Sequence, residues 1–236
     1  MNNFWQTLPK PFFALAPLED VTDAAFRCLI AKKGKPDVMF TEFTSADGLA
    51  LAPEEGKRRL LKKLEFSEGE RPIVAQLFSA YPDRMETAAQ MVRALGFDGL
   101  DINMGCPDRA IEKSLCGAAM IENPSLAKEI IRAAQRGAEG MPVSVKTRIG
   151  YAKNEISTWV PALLEEGIAA LTIHARTRNE MSDVPARWEH VKETVDIRDR
   201  LGVPTLILGN GDLTDLADAR EKVKTHGADG AMLGRA

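Results

Sequence analysis

The stretch Asp98–Pro107, which reads DGLDINMGCP, combines a short apolar strand with a potentially reactive loop. Leu100 and Ile102 supply the buried side chains of the strand, and the loop after it presents Asn103 and Cys106. Chemistry in α/β proteins is concentrated just beyond the carboxyl ends of strands. This placement makes Cys106 a candidate catalytic thiol, the alternative being a small buried side chain.

The same pattern of glycine, apolar strand and polar tip occurs three times, as GFDGLDIN from Gly96, GIAALTIH from Gly167 and GADGAMLG from Gly227. In each copy the glycine is expected to end a helix in a left-handed conformation. Most candidate strands are continuous apolar runs, as in parallel strands buried on both faces. Eight strands are predicted: Phe12–Ala16, Val38–Glu42, Ile73–Leu77, Gly99–Asn103, Val143–Lys146, Leu171–His174, Thr205–Leu208 and Gly230–Leu233.

Helix signals separate these strands. We expect Asn123 to cap a helix that begins at Pro124, and Thr214 to cap the last helix. Pro161 is expected in the first turn of the helix that ends at Gly167. Eight strands with seven crossovers predict an α/β fold, a (β/α)8 TIM barrel truncated after strand eight. We expect residues 1–236 to form this single domain.

The composition excludes several classes of protein. The chain is 44% hydrophobic and 28% charged, which is typical of globular domains. No segment approaches the roughly 20 apolar residues that cross a bilayer, and nothing near the N-terminus resembles a signal peptide. Three cysteines outside any CxxC spacing argue against a disulfide framework and against a structural metal. We therefore expect a cytoplasmic protein without a metal. A net charge of −3 means that nucleic-acid binding would depend on a local patch.

Polar groups follow nearly every predicted strand. Each one alone is explained by a chain that re-enters water, but together they favour a polar ligand on the barrel axis. The strand tips are Ala16-Pro17, Glu42, Gln76, Asn103 to Cys106, Lys146 with Arg148, His174 with Arg176, Asn210-Gly211 and Gly234-Arg235.

The last two tips indicate a phosphate site. Gly209 to Gly211 and Gly234-Arg235 follow strands seven and eight, where such barrels commonly bind phosphate. Glycine lets backbone N–H groups approach phosphate oxygens, and Arg235 adds a positive charge. Lys146 leaves three alternatives open: a Schiff-base nucleophile, a cation beside an electron-rich cofactor ring, or a lysine at the barrel rim.

A basic patch is expected around the same opening. Arg176 and Arg178 follow the strand that ends at His174. The patch would suit a polyanionic substrate in an otherwise acidic chain. Its other predicted members are Arg109, Lys113, Arg148 and Arg187.

Eight motifs together resemble one known family. They are ALAPLEDVTDAAFR, VAQLF, DINMGCP, KSLCGAAMI, VSVKTRIG, HARTRNE, LGNGD and MLGRA. They occur in the order found in the tRNA-dihydrouridine synthases, and the resemblance runs from about Phe12 to Ala236. The chain departs from the usual family residues at Leu18, Cys116 and Glu180, where methionine, a small residue and glutamine are common. The family's C-terminal helical tRNA-binding domain is not recognisable in this sequence.

The resemblance implies an FMN flavoprotein that reduces the C5–C6 double bond of uridine in tRNA, with NADPH or NADH as the reductant. Hydride would pass from reduced FMN to C6, and Cys106 would protonate C5 as a general acid. Asn103 would position the uracil, with Arg176 and Arg178 near the RNA. The cofactor contacts implied are Pro17, Leu18, Gln76, Lys146 and His174 for the isoalloxazine, and Asn210, Gly211, Gly234 and Arg235 for the phosphate.

Three rival functions stay open at this point. An FMN barrel could reduce a free small molecule, and a non-redox lyase or isomerase could use Lys146 as a Schiff base. A truncated barrel could also be inactive. We expect tRNA as the partner, no membrane association and a monomer.

Overall fold

The structure, a computed structural model, describes residues 3–235. Strands and helices alternate along this range. The strands are β1 (Phe12–Leu15), β2 (Met39–Phe40), β3 (Thr44–Ser45), β4 (Ile73–Phe78), β5 (Gly99–Met104), β6 (Val143–Arg148), β7 (Ala170–His174), β8 (Leu206–Asn210) and β9 (Gly230–Leu233). The helices are α1 (Ala24–Gly34), α2 (Ala46–Leu51), α3 (Glu54–Lys63), α4 (Pro82–Ala94), α5 (Arg109–Glu112), α6 (Pro124–Ala138), α7 (Ile156–Leu164), α8 (Glu189–Leu201) and α9 (Leu216–His226).

The strands form one parallel sheet that closes on itself. Neighbouring strands follow the order β1, β9, β8, β7, β6, β5, β4, β2. A parallel bridge between Ala14 and Val38 joins the two ends of this sheet. The short strand β3 pairs with β4 beyond the end of β2, so it does not count as a separate strand of the barrel. The predicted (β/α)8 TIM barrel is therefore confirmed, with eight parallel strands joined by crossover connections.

The amino-terminal end of the barrel is filled by apolar side chains. Trp5 is 1% exposed and its ring lies 4.8 Å from Phe4, 5.9 Å from Phe12 and 6.3 Å from Phe40. Val74 of β4 and Leu208 of β8 belong to the same buried cluster. Because side chains of the described residues pack this end shut, the carboxyl ends of the strands are where a ligand can approach the barrel axis.

The predicted strands agree with the observed ones to within a few residues, and the second one differs most. Its expected span Val38–Glu42 shortens to Met39–Phe40, and Thr41 continues the contact by donating its backbone N–H to Val74 O at 3.0 Å. The predicted cap of α6 is confirmed, since Asn123 Oδ1 accepts from Leu126 N at 3.2 Å.

Two helix predictions are wrong. The cap of α9 is Asp215, whose carboxylate accepts from Asp218 N at 2.8 Å, and not Thr214. An ionised carboxylate at a helix N-terminus accepts more strongly than a hydroxyl, which favours Asp215. Pro161 lies inside α7 and not in its first turn. The helix begins earlier because Asn154 Oδ1 accepts from Ile156 N at 2.9 Å.

In the part of the chain that the structure describes, no helix combines the length and the apolar character needed to span a membrane.

Candidate active site

A cavity of about 490 Å³ opens at the carboxyl ends of the barrel strands. Its volume falls in the usual range of small-molecule and cofactor sites, roughly 300–1,000 Å³. The structure brings together every predicted site residue except Arg178, which is not in the wall. The predicted residues that line it are Pro17, Leu18, Gln76, Asn103, Cys106, Lys146, His174, Arg176, Asn210, Gly211, Gly234 and Arg235.

Cys106 is held in the cavity wall by hydrogen bonds to its loop. Asn103 Oδ1 accepts from the backbone N–H of Gly105 at 3.1 Å and of Cys106 at 2.9 Å. Arg148 approaches the same loop from the next strand and donates its Nε–H to Gly105 O at 2.8 Å. Arg148 Nη1 donates to the carbonyls of Thr177 and Met181. The loop is therefore fixed from two sides by buried polar groups.

The Cys106 thiol is suited to donate a proton. Burial is the main influence on it and raises its pKa above the ordinary value of 9.0, with the Asp108 carboxylate adding to the rise. The Asp108 backbone N–H and the cations Lys146 and Arg148 oppose this rise. The thiol is consequently protonated at neutral pH, as a general acid must be.

The other two cysteines lie outside the cavity. All three cysteines are free of disulfides. Cys116 is buried, its Sγ donates to Ser114 O at 3.3 Å, and burial together with Asp47 raises its pKa to about 12. Such a thiol is inert toward most reagents. Cys106 is therefore the cysteine available for chemistry in the cavity.

Lys146 and His174 give the cavity two different nitrogen groups. Burial, and then the charge of Arg148, lower the pKa of Lys146 to about 8. Lys146 has no hydrogen-bond or ion-pair partner within residues 3–235. Burial and the surrounding cations hold the pKa of His174 well below its usual value, so its imidazole is neutral. Arg176 Nη1 lies 3.3 Å from His174 Nε2, which fits an imidazole that accepts at this atom.

Positive charge exceeds negative charge around the cavity. Its cationic groups are Lys146, Arg148, Arg176 and Arg235, against the carboxylates of Glu19 and Asp212. Asp212 neutralises one of the four, since both of its oxygens lie 2.6 Å from Arg176 Nη2. The remaining excess favours a ligand that carries negative charge.

The predicted phosphate corner has the backbone shape that such a group requires. Gly211 has φ +119°, and a Cβ atom there would lie 2.9 Å from Ala186 Cβ. The Trp188 indole N–H donates to Gly211 O at 2.8 Å, and Asn210 Nδ2 donates to Met232 O at 2.8 Å. These bonds fix the rim of β8 beside β9. The exposed Arg235 lies at the same corner, 3.3 Å from Ser182 Oγ.

The residues present fit an FMN molecule. The donor set joins glycine backbone and an arginine at one corner to the Lys146 ammonium and the neutral His174 imidazole in the wall. This combination matches the phosphate and the polar ring edge of a flavin. The positive φ and the close approach to Ala186 together require glycine at position 211.

The predicted basic patch is less uniform than the sequence indicates. Arg178 pairs with Glu112 and stacks over the Tyr151 ring at 5.5 Å. Arg187 donates to Glu180 at 2.7 Å. Arg148 and Arg176 are 6% and 3% exposed and face the cavity interior. The exposed members of the patch are Arg109 and Lys113, next to the Cys106 loop.

A second, more apolar groove of about 530 Å³ adjoins the cavity. The two share Glu19, Phe43 and Cys106. Phe43 meets Phe78 edge to face at 5.7 Å in this groove. The thiol is therefore approached both from the barrel axis and from an aromatic surface beside it.

The sequence did not single out several cavity residues. Phe43, Ser182 and Asp212 line the wall together with the predicted groups. Asp212 carried a signal, because it follows the glycines of the LGNGD motif. Phe43 and Ser182 lie in irregular segments where no spacing rule identifies the face of a side chain.

Comparison with known proteins agrees with this architecture. The sequence model of a family described as "Dihydrouridine synthase (Dus)" matches residues 14–236. The chain is 44% identical over 235 residues to "Probable tRNA-dihydrouridine synthase 2" of Bacillus subtilis (strain 168), covering 99% of this chain and 71% of that protein. It is 42% identical over 235 residues to "Probable tRNA-dihydrouridine synthase" of Staphylococcus aureus (strain COL), covering 99% of this chain and 70% of that protein.

Solved structures share the fold at low sequence identity. A morphinone reductase in complex with tetrahydroNAD has a TM-score of 0.62 and 14% identity, covering 95% of this chain and 82% of that one. A 2-naphthoyl-CoA reductase complex has a TM-score of 0.68 and 11% identity, covering 93% and 47%. At such identities the likeness extends to the barrel fold alone.

Proposed function

The chain belongs to the dihydrouridine synthase family, and on that basis we propose that it reduces the C5–C6 double bond of uridine in tRNA. It acts as an FMN-dependent oxidoreductase with NADPH or NADH as the reductant. The observation that carries the proposal is the protonated Cys106 thiol in the wall of an electropositive cavity. The described barrel is the catalytic domain in this account.

Two groups of cavity residues contact the two ends of the cofactor. Gly211, Gly234 and Arg235, with Asn210 shaping the rim, hold the phosphate of FMN. Pro17, Leu18, Gln76, Lys146 and His174 surround the isoalloxazine. When bound, FMN supplies the hydride that uridine receives at C6. The Lys146 ammonium, which has no partner within residues 3–235, would stabilise negative charge on the ring, and the neutral His174 would add a hydrogen-bonding group without adding charge.

The protein's own contribution to the chemistry is the second hydrogen. Cys106 Sγ–H donates its proton to C5 of the uracil, and burial keeps the thiol protonated until that step. Asn103 holds the Cys106 loop through its Oδ1 atom. Its Nδ2 group donates one hydrogen to Gln76 Oε1 at 3.0 Å, and the second hydrogen is the one that would reach the substrate. Arg148 fixes Gly105 O, so that the thiol keeps one position relative to the base.

The target uridine must leave its stack to enter a cavity on the barrel axis, at a cost of a few kcal/mol. The exposed Arg109 and Lys113 lie where the flanking phosphates would pass, and Arg178 supports the same rim. Arg176 acts inside the cavity near the base. A tRNA substrate places the enzyme in the cytoplasm, and we assign it as a monomer.

The test is an absorbance spectrum of the purified protein, followed by NADPH oxidation with and without unmodified tRNA. The proposal predicts flavin bands and tRNA-dependent loss of uridine. Flavin bands with turnover of a free pyrimidine or an enone, but not of tRNA, would favour a small-molecule reductase. A protein that binds no flavin even after incubation with FMN would refute the cofactor assignment.

A further inference from the structure

A buried row of polar side chains crosses three strands beneath the cavity. Gln76 in β4 lies opposite Asp101 in β5, which lies opposite Ser144 in β6. Paired residues of parallel strands point to the same face of the sheet, and here that face is the interior of the barrel. The Asp101 side chain is completely buried. None of the roles assigned above uses Asp101, and a buried carboxylate requires partners that offset its burial.

The row continues upward into the Cys106 loop. Ser144 Oγ donates to Asp101 Oδ1 at 2.6 Å, and Gln76 Nε2 donates to Asp101 Oδ2 at 2.7 Å. Asn103 Nδ2 donates to Gln76 Oε1 at 3.0 Å. Asn103 Oδ1 then accepts from the backbone N–H groups of Gly105 and Cys106. One continuous chain of hydrogen bonds therefore joins Asp101 to the backbone of Cys106.

The direction of this chain is set by its two ends. A backbone N–H can only donate, so Asn103 must turn its amide oxygen toward the loop. Its amide nitrogen then faces Gln76, whose own nitrogen must find an acceptor. Asp101 supplies that acceptor. Without Asp101, no acceptor holds the Gln76 nitrogen, and the Gln76 amide can turn that nitrogen toward Asn103. Asn103 would then have to turn its oxygen toward Gln76 and its nitrogen toward the two backbone N–H groups, which can only donate.

We propose that Asp101 is a positioning residue that holds the Cys106 loop through Gln76 and Asn103. Its importance for catalysis rests on the proposed function, in which Cys106 is the proton donor. Burial raises the pKa of Asp101 to about 6, against the hydrogen bonds of Ser144 and Gln76 and the charge of Lys146. The carboxylate is therefore the main form at neutral pH and accepts at both oxygens.

Amide hydrogen exchange in the cofactor-free protein tests this directly. Asp101→Leu keeps the number and branching of the side-chain heavy atoms and removes the acceptor, so the Gly105 and Cys106 amides should exchange about tenfold faster, the equivalent of one lost hydrogen bond. Asn103→Ala should give the same increase. Asp101→Asn should restore slow exchange, because its carbonyl accepts from Gln76 while its amide group donates to Ser144 Oγ. Ser144→Ala removes the hydrogen bond to Asp101 Oδ1 and leaves the bond from Gln76 to Oδ2 in place, so it should leave the exchange of this loop unchanged.

A folded Asp101→Leu variant with wild-type exchange at Gly105 and Cys106 would overturn the inference. So would an Asp101→Asn variant that exchanges as fast as Asp101→Leu. If far-ultraviolet circular dichroism shows that Asp101→Leu is unfolded, Gln76→Met breaks the next link, and wild-type exchange in that variant overturns the inference equally. The proposed function fails separately, through a wild-type protein that forms no dihydrouridine while its exchange pattern is as described.

Discussion

Replacing Cys106 with alanine separates the chemistry of the cavity from its structure. The variant removes only Sγ, while the backbone N–H of residue 106 continues to donate to Asn103 and Arg148 continues to hold Gly105 O. The free energy of unfolding should therefore change by about 1 kcal/mol or less. FMN should still bind, because none of the groups assigned to its phosphate or ring is altered.

The rate of uridine reduction should fall by about 10²–10⁴, the usual contribution of a general acid. This equals roughly 3–5 kcal/mol of activation free energy. The assay is dihydrouridine formation in unmodified tRNA, with flavin content measured on the same sample. Cys116→Ala is the matched control, since it removes a buried thiol that lies outside the cavity, and it should retain activity. Wild-type turnover by Cys106→Ala with full flavin content would refute the assignment of the acid.

Two further perturbations test the cavity, and a third tests the packing of β8. Above about pH 8 the free Lys146 amine is largely neutral, so the affinity for FMN should fall as the pH rises from 7 to 9. Lys146→Met should bind FMN more weakly than the wild type at pH 7, and its affinity should depend little on pH. Fluorescence titrations in which the two proteins show the same pH dependence would contradict this role. Arg235→Ala should lower the affinity for FMN roughly tenfold but leave the affinity for riboflavin unchanged, because only FMN carries the phosphate. Equal losses of affinity for both ligands would argue against a phosphate contact. Gly209→Ala would place a methyl group against the Trp188 ring and should lower the free energy of unfolding, measured in urea, by about 1–3 kcal/mol. The control Gly34→Ala, whose methyl group meets no neighbour, should change the free energy of unfolding far less. Equal stabilities of the two variants would show that the Trp188 ring moves freely.

The barrel could be predicted from sequence because each buried strand is a local signal. Apolar runs such as Gly230–Leu233 follow glycines that end helices, and these features depend only on neighbouring residues. The strand tips followed from the same reasoning, since the carboxyl ends of parallel strands meet at one mouth. This is why Cys106, Lys146 and Arg235 could be assigned to one cavity.

Features that depend on partners distant in sequence were not predictable in the same way. Arg176 looked like part of a basic surface, but Asp212, 36 residues later, neutralises it inside the barrel. Arg178 likewise pairs with Glu112, 66 residues earlier. The sequence contains the charges but not the packing that brings them together. The α9 cap was missed because Thr214 and Asp215 are adjacent and both can cap a helix.

The most direct test of the account is nucleoside mass spectrometry of unmodified tRNA after incubation with the purified chain, FMN and NADPH. We predict conversion of uridine to a product with two additional hydrogen atoms, dependent on both FMN and NADPH. NADPH oxidation by a flavin-loaded protein that leaves every uridine of the tRNA unreduced would contradict it.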